Sequence, residues 1–191
     1  ISTGEYRFIP ISGMVGAIYV YNDRVAAKWA PPAGLNRGQL RQALGFRYEY
    51  GPDDEELMFP VQINVGVSRP SIGPVIMSAE TLQVERSALS SMHIRRLMNE
   101  INTTLEDVLE FILQELHTEQ TRFNVIQICE SILSPIHRSE GLYNYYIRCD
   151  DKNNPKEVID QDALVVDVYV QPVRAIKGIL ARVFITRTGV S

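Results

Sequence analysis

Few residues in this chain could do chemistry: three histidines, His93, His117 and His137, two cysteines, Cys129 and Cys149, and scattered carboxylates. A structural or catalytic zinc site draws on ligands at short paired spacings, such as two cysteines two residues apart or two histidines one helical turn apart. None of the three histidines has such a partner. Asp151-Lys152-Asn153 echoes the start of a calcium loop, but the position that needs glycine for the sharp turn is Lys156, so this stretch reads as a surface turn. A thiol nucleophile could be built from Cys149 with His137 and Asp150. Cys149 falls on the apolar side of its strand pattern, however, and buried packing is the better reading. Gly13, Gly16, Gly34 and Gly38 have neither the spacing nor the strand-to-helix context of a phosphate loop. These patterns predict no catalytic site, no cofactor and no tightly bound metal.

Two further features concern recognition. Arg95-Arg96 opens a predicted helix, where cations oppose the helix dipole. Such a pair either meets a carboxylate across an interface or is solvated or paired within the chain. Trp29, beside Pro31-Pro32, reads as a core anchor at a strand end rather than as a peptide-binding aromatic.

The elements that must position these residues are those of one soluble globular domain. The chain has 191 residues, 45% hydrophobic and 22% charged, which is enough for a sizeable core. A net charge of -4 and a pI near 5.4 argue against a nucleic-acid partner. Two cysteines are too few for a disulfide framework, and a cytoplasmic origin fits. No apolar run is long enough to span a bilayer, and the N-terminal residues carry no signal-peptide pattern. The start at Ile1 rather than Met suggests a fragment or a processed product.

The expected fold class is α+β: an antiparallel C-terminal sheet packed against two long helices, with a small N-terminal helix and strand segment. In residues 1–90, Ser12 caps a helix over Met14–Tyr21 in which Gly16 and Ala17 permit close packing, and Asn22-Asp23 ends it. Val25–Trp29 reads as a short strand, 33–38 as a loop, Gln39–Ala43 as a single helical turn, and Asp53–Met58 as a short helix. Pro60–Val67 and Pro74–Ala79 read as strands joined by a turn at Pro70–Gly73. Residues 91–138 hold the two long helices. In the first, Ile94, Leu97, Met98, Ile101, Leu105, Val108, Ile112 and Leu116 form one stripe at three- and four-residue spacing. Thr118 caps the second, whose buried face is Val125, Ile126, Cys129, Ile132, Leu133 and Ile136, and Pro135 kinks or finishes it. Residues 141–188 then give three antiparallel strands: Tyr143–Cys149, with Tyr143, Tyr145, Ile147 and Cys149 on one face; Ala163–Gln171, closed by Pro172; and a last run from Gly178. In that last run Ile179, Ala181, Val183 and Ile185 oppose Leu180, Arg182, Phe184 and Thr186, and it reads as a sheet edge that can recruit another chain.

Taken in order, the segments Met14-Val15-Gly16-Ala17-Ile18-Tyr19, Trp29-Ala30-Pro31-Pro32-Ala33-Gly34, Glu80-Thr81-Leu82 and Ile94-Arg95-Arg96-Leu97 follow a recognisable series. It continues with Gly141-Leu142-Tyr143, Cys149-Asp150, Asn153-Asn154-Pro155, Val158-Ile159-Asp160 and Pro172-Val173-Arg174-Ala175-Ile176. The series resembles the contractile tail sheath proteins of myovirus-type bacteriophages, in their C-terminal core. Where many sheath proteins carry a Phe-Glu-Pro-Asn-like loop between the long helices, this chain has Thr118–Asn124.

The resemblance implies a structural subunit, not an enzyme, that polymerises helically around a tail tube and contracts to drive the tube through the host envelope. Its implied partners are other copies of itself, the tail tube protein, and baseplate and tail terminator proteins, with no nucleic acid and no direct membrane insertion. Its implied places are the virion tail and, during assembly, the host cytoplasm. Terminal arms in such sheaths add strands to neighbouring sheets. The residues expected at the subunit interface are therefore Ile179, Leu180, Ala181, Arg182, Val183, Phe184 and Ile185, together with Arg95 and Arg96. A sheath-like subunit of another contractile injection system and a soluble binding module are the alternatives.

Overall fold

A computed structural model describes residues 6–177 and 181–182. Its order is α1 (Ser12–Val25), α2 (Gly34–Arg37), α3 (Pro52–Met58), β1 (Gly66–Arg69), β2 (Gly73–Ile76), α4 (Met92–Leu109), α5 (Glu119–Arg138), β3 (Leu142–Arg148), α6 (Lys156–Ile159) and β4 (Asp167–Pro172). Among the described residues the strands form two antiparallel pairs, β1 with β2 and β3 with β4. The third C-terminal strand expected from Ile179 to Thr186 lies outside the described residues, apart from Ala181 and Arg182, which are exposed and in no strand.

The larger core belongs to the C-terminal half. Leu97, Ile101 and Leu105 of α4 meet Val125, Cys129, Leu133 and Ile136 of α5, and these meet Leu142 and Cys149 at the ends of β3. The three- and four-residue spacing thus does what it predicts, each helix turning one apolar stripe inward. The α4 stripe ends sooner than expected. The helix stops at Leu109, one tight turn follows at Glu110–Ile112, and Leu116 is exposed. Thr118 caps α5 as expected, its hydroxyl accepting from the Thr121 N–H at 3.1 Å. Pro135 lies inside α5, which continues to Arg138.

Strand β3 departs from strict alternation. Leu142 pairs with Pro172 and Asn144 with Gln171, so Tyr143 is an extra residue, a β-bulge. The bulge reverses inside and outside once: Leu142 is buried and Tyr143 exposed, while Tyr145 and Ile147 pack on the core beyond it and Cys149 is buried within it. Tyr143 therefore does not share their face, contrary to simple period two. Val168 and Val170 of β4 and the preceding Leu164 and Val166 pack on the same core. The expected turn after β3 forms around its asparagines. Asn154, 1% exposed, donates from Nδ2 to the Val165 carbonyl at 2.9 Å and accepts the Val165 N–H at 2.7 Å, standing in for a strand partner.

The N-terminal half corrects several expectations. Helix α1 runs through Asn22-Asp23 to Val25, and Ser12 is its first residue rather than its cap. Asn22 fails to end it because its amide faces inward, donating to the Ala30 carbonyl at 2.9 Å and holding the following turn against the helix. Val25–Trp29 is consequently the end of α1 and that turn, not a strand. Gly16 and Ala17 are exposed, and a Cβ added at Gly16 would meet nothing within 4 Å outside its own helix, so no close packing occurs at Gly16. Residues 34–37, expected as a loop, form α2. Gln39–Ala43 makes no helix: Gln39 bridges to Val75, and the Leu40 N–H donates to the Pro74 carbonyl at 2.9 Å. Helix α3 stands where expected, but the hairpin is shifted: Phe59–Val61 is a helical turn, β1 takes only Gly66 and Val67 of the expected first strand and runs on to Arg69, and β2 stops at Ile76. Trp29 is the core anchor, in a turn rather than at a strand end; it packs on the C-terminal core and donates from Nε1 to the Ser139 carbonyl at 3.1 Å.

Candidate subunit interface

The described part of the predicted interface lies around the N-terminal end of α4. From Pro172 the chain leaves β4 as an extended segment, 173–177, anchored where the Val173 N–H donates to the Gly141 carbonyl at 3.1 Å and where Lys177 Nζ meets Glu80 Oε1 at 2.6 Å. Between this segment and the residues before α4 lies a cleft of about 340 Å³, lined by Phe59, Ser91, Ile94, Arg174 and Ala175 among others. A wider groove on its other side reaches Arg37, Val65, Met77 and His93. As far as Lys177, the chain thus runs beside the first turn of α4. Ile179, Leu180, Val183, Phe184 and Ile185 lie outside the described residues.

Arg95 and Arg96 have different fates. Arg95 is exposed, whereas Arg96 pairs with Asp23 of α1 at 2.5 Å, its guanidinium 5.4 Å from the centre of the Tyr19 ring. The carboxylate that Arg96 needs is therefore intramolecular, and the pair ties α4 to α1. Only Arg95 faces outward.

His93 sits under the exit segment, 4% exposed, with Nε2 sealed from solvent and without a hydrogen-bond partner among the described residues. Burial pushes its imidazole below the ordinary value of 6.5, and the Lys177 ammonium and Arg37 push the same way; the Val173 carbonyl and the Glu80 carboxylate oppose them only in part. The sign follows from proton counts. Below 6.5 the unfolded chain protonates this residue and the folded chain does not, so stability falls with pH until the lowered folded value is reached. Melting temperatures from neutral pH downward are expected to show this loss in the wild type and a shallower one in His93→Leu. Identical slopes would show that His93 titrates as it does unfolded.

The candidate chemistry is not assembled. Cys129 and Cys149 are buried free thiols, and burial raises both, which disfavours the reactive thiolate. His137 stacks edge-on against Tyr145, with the rings 5.7 Å apart. Among the described residues no three His, Cys, Asp or Glu side chains gather as a metal-binding group, and no helix is long and apolar enough to cross a membrane.

Two exposed features were missed by reading motifs. One is the outer face of the C-terminal sheet, where Tyr146 and Tyr169 lie 6.0 Å apart beneath the Arg148 guanidinium. The other is the α4–α5 turn with the start of α5, where Phe111, Leu113 and Leu116 of the turn and Phe123 of α5 are all exposed. The signal for the second was present in the sequence as a run from Leu97 to Thr121 without a single Lys or Arg.

An α+β core whose C-terminal sheet has unpaired outer edges among the described residues, and whose α4–α5 turn is one of the places that expose large apolar side chains, offers surfaces for contact with other chains. Residues 85–186 match the phage tail sheath C-terminal domain family, and the chain belongs to that family, whose members are structural sheath proteins. It is 29% identical over 182 residues to the tail sheath protein of Vibrio phage KVP40 and 27% identical over 183 residues to that of Enterobacteria phage T4. These alignments cover 95% and 96% of this chain but only 27% and 28% of the relatives, so the chain spans about a quarter of their length. In fold it is similar to the contracted sheath complex of the extracellular contractile injection system PVC, with a TM-score of 0.85 and 20% identity over 92% of this chain and 51% of that one. It is equally similar, at 0.85 with 17% identity over 93% of this chain and 51% of the other, to a chain of the anti-feeding prophage baseplate.

Proposed function

We propose that this chain is the C-terminal core, acting as one unit, of a contractile tail sheath subunit in a phage virion. It polymerises with identical copies around a tail tube and contracts to drive that tube through the host envelope. The observation that carries this reading is the family match over 85–186, to which the alignment with two phage tail sheath proteins along nearly the whole chain adds weight. The work is mechanical, with no catalytic step. The partners that follow are the tail tube, the baseplate and the tail terminator, and assembly takes place in the host cytoplasm. A second reading, a sheath subunit of an extracellular injection system rather than of a phage, is favoured by the likeness to the PVC sheath.

In this reading the run Ile179–Ile185 is the tether, pairing its free backbone groups with a neighbour's sheet while side-chain contacts are exchanged during contraction. Proline removes one donor, so its effect depends on whether a given N–H points into the subunit's own ladder or outward. Single prolines at Leu180, Ala181, Arg182 and Val183 in the full-length protein are expected to split by parity. One pair lowers stability by about 3 kcal/mol, and the other leaves a folded monomer that forms no striated tubes by electron microscopy. Four variants that all assemble would place the tether elsewhere, and a wild-type protein that forms no tubes would refute the sheath reading.

A further inference from the structure

The C-terminal half is a bar with chemically opposite ends. At one end β3 turns into β4 and α4 turns into α5, and the two turns are tied together where Arg122 of α5, itself 8% exposed, donates to Asp151 at 2.8 Å. At the other end Leu142 pairs with Pro172 and the exit segment begins, with the start of α4 beside it. The length of β3 separates them by about 20 Å.

The turn end is acidic and apolar. Glu106, Asp107, Glu110, Glu115 and Glu119 are all exposed, and none is ion-paired among the described residues. Around them stand Phe111 and Leu116, 84% and 78% exposed, with Leu113 and Phe123. These are not the loose side chains of an open loop. The turn is closed by hydrogen bonds, from the Leu113 N–H to the Glu110 carbonyl at 3.2 Å, from Glu115 to Ile112 at 3.1 Å and from the Thr121 hydroxyl to the Leu116 carbonyl at 2.7 Å. A backbone held this firmly presents an apolar patch that water alone does not reward.

The exit end is the converse. From Val168 to Ser191 the sequence has no Asp or Glu; of its four cations Arg187 lies outside the described residues and Lys177 is paired with Glu80, which leaves Arg174 and Arg182. Of its described residues, Arg174, Ile176 and Arg182 are exposed, Ile176 at 84%. Charge and apolarity therefore match between opposite ends of one molecule. A surface that fits the far end of another copy forms head-to-tail contacts, which close into rings or continue as helical filaments.

We propose that successive copies meet head-to-tail, the acidic and apolar α4–α5 turn of one copy seating on the carboxylate-free exit segment of the next. Phe111 and Leu116 pack against Ile176 and its surroundings, and the exposed carboxylates face Arg174 and Arg182. The proposal rests on the sheath reading for the existence of the polymer, and adds which surfaces of it touch.

Two charge-reversed forms of the full-length protein test it. In the first, Glu110→Lys with Glu115→Lys sets lysines against the arginines of the exit segment. In the second, Arg174→Glu with Arg182→Glu sets carboxylates against those of the turn while leaving the backbone groups of the tether unchanged. Each alone is expected to raise the critical concentration for tube formation about tenfold or more, with melting temperature unchanged. An equimolar mixture is expected to assemble as the wild type does, because each form's ends then complement the other's. Assembly of either form alone at the wild-type concentration would overturn the proposal, as would folded forms that stay unassembled when mixed. Should either form melt early, Glu115→Gln gives the same decision: weaker salt dependence of assembly supports the contact, and an unchanged dependence refutes it. Failure of the wild type to make tubes at all would instead sink the sheath reading and this contact with it.

Discussion

Leu133→Ala is expected to destabilise the protein by about 2–5 kcal/mol, a large part of the stability of a domain this size. Leu133 is 0% exposed and sits in α5 between α4 and the C-terminal sheet, so removing its side chain leaves a cavity that two helices and a strand cannot close together. The informative comparison is Leu116→Ala. Both leucines extend apolar stripes in the sequence, but Leu116 lies beyond the end of α4 and is 78% exposed. Its truncation is expected to change stability by less than about 0.5 kcal/mol, the scale of an ordinary surface substitution. Denaturant melts of the two variants decide the matter. Equal losses would mean that α4 continues through Leu116 and that the exposed turn does not exist. In assembly the order should reverse, with Leu116→Ala weakening tube formation.

Gly38→Ala is expected to cost about 3 kcal/mol, the upper part of the usual range for forcing atoms into a packed site. A Cβ there would stand 2.2 Å from the Ile76 carbonyl oxygen and 2.9 Å from backbone atoms of Gly34. All of these are main chain, so no side chain can swing away. Relief requires pulling 38–40 off β2, breaking the Ile76 N–H to Gly38 carbonyl bond at 2.8 Å that holds them together. Gly16→Ala is the contrast. It lies mid-helix, where an added Cβ would meet nothing within 4 Å outside its own helix, and alanine there is expected to stabilise by about 0.5–1 kcal/mol through its lower unfolded-state entropy. If both variants melt alike, the close approach of Gly38 to β2 is wrong.

The elements whose partners lie close in sequence were legible in it. The stripes of α4 and α5 are periodic because each helix buries one face. Thr118 caps α5 because its hydroxyl needs only a backbone N–H three residues on, and Asn153-Asn154-Pro155 turns the chain through bonds to nearby backbone. The ordered segments from Met14 to Ile176 likewise carried the family, through their combination rather than through any one of them. What the sequence could not show depends on contacts between distant residues. Asn22 is an ordinary helix terminator until the Ala30 carbonyl returns to accept its amide. Arg96 has a free charge until α1 brings Asp23 beside it. The bulge at Tyr143 is set by pairing against Pro172 and Gln171, and one extra residue reverses which side chains face the core. The candidate contact surface is of both kinds. The run without cations and the run without carboxylates are plain in the sequence, but only the antiparallel path of α4, α5, β3 and β4 sets the α4–α5 turn and segment 173–177 at opposite ends of one body, because each element carries the chain from one end to the other.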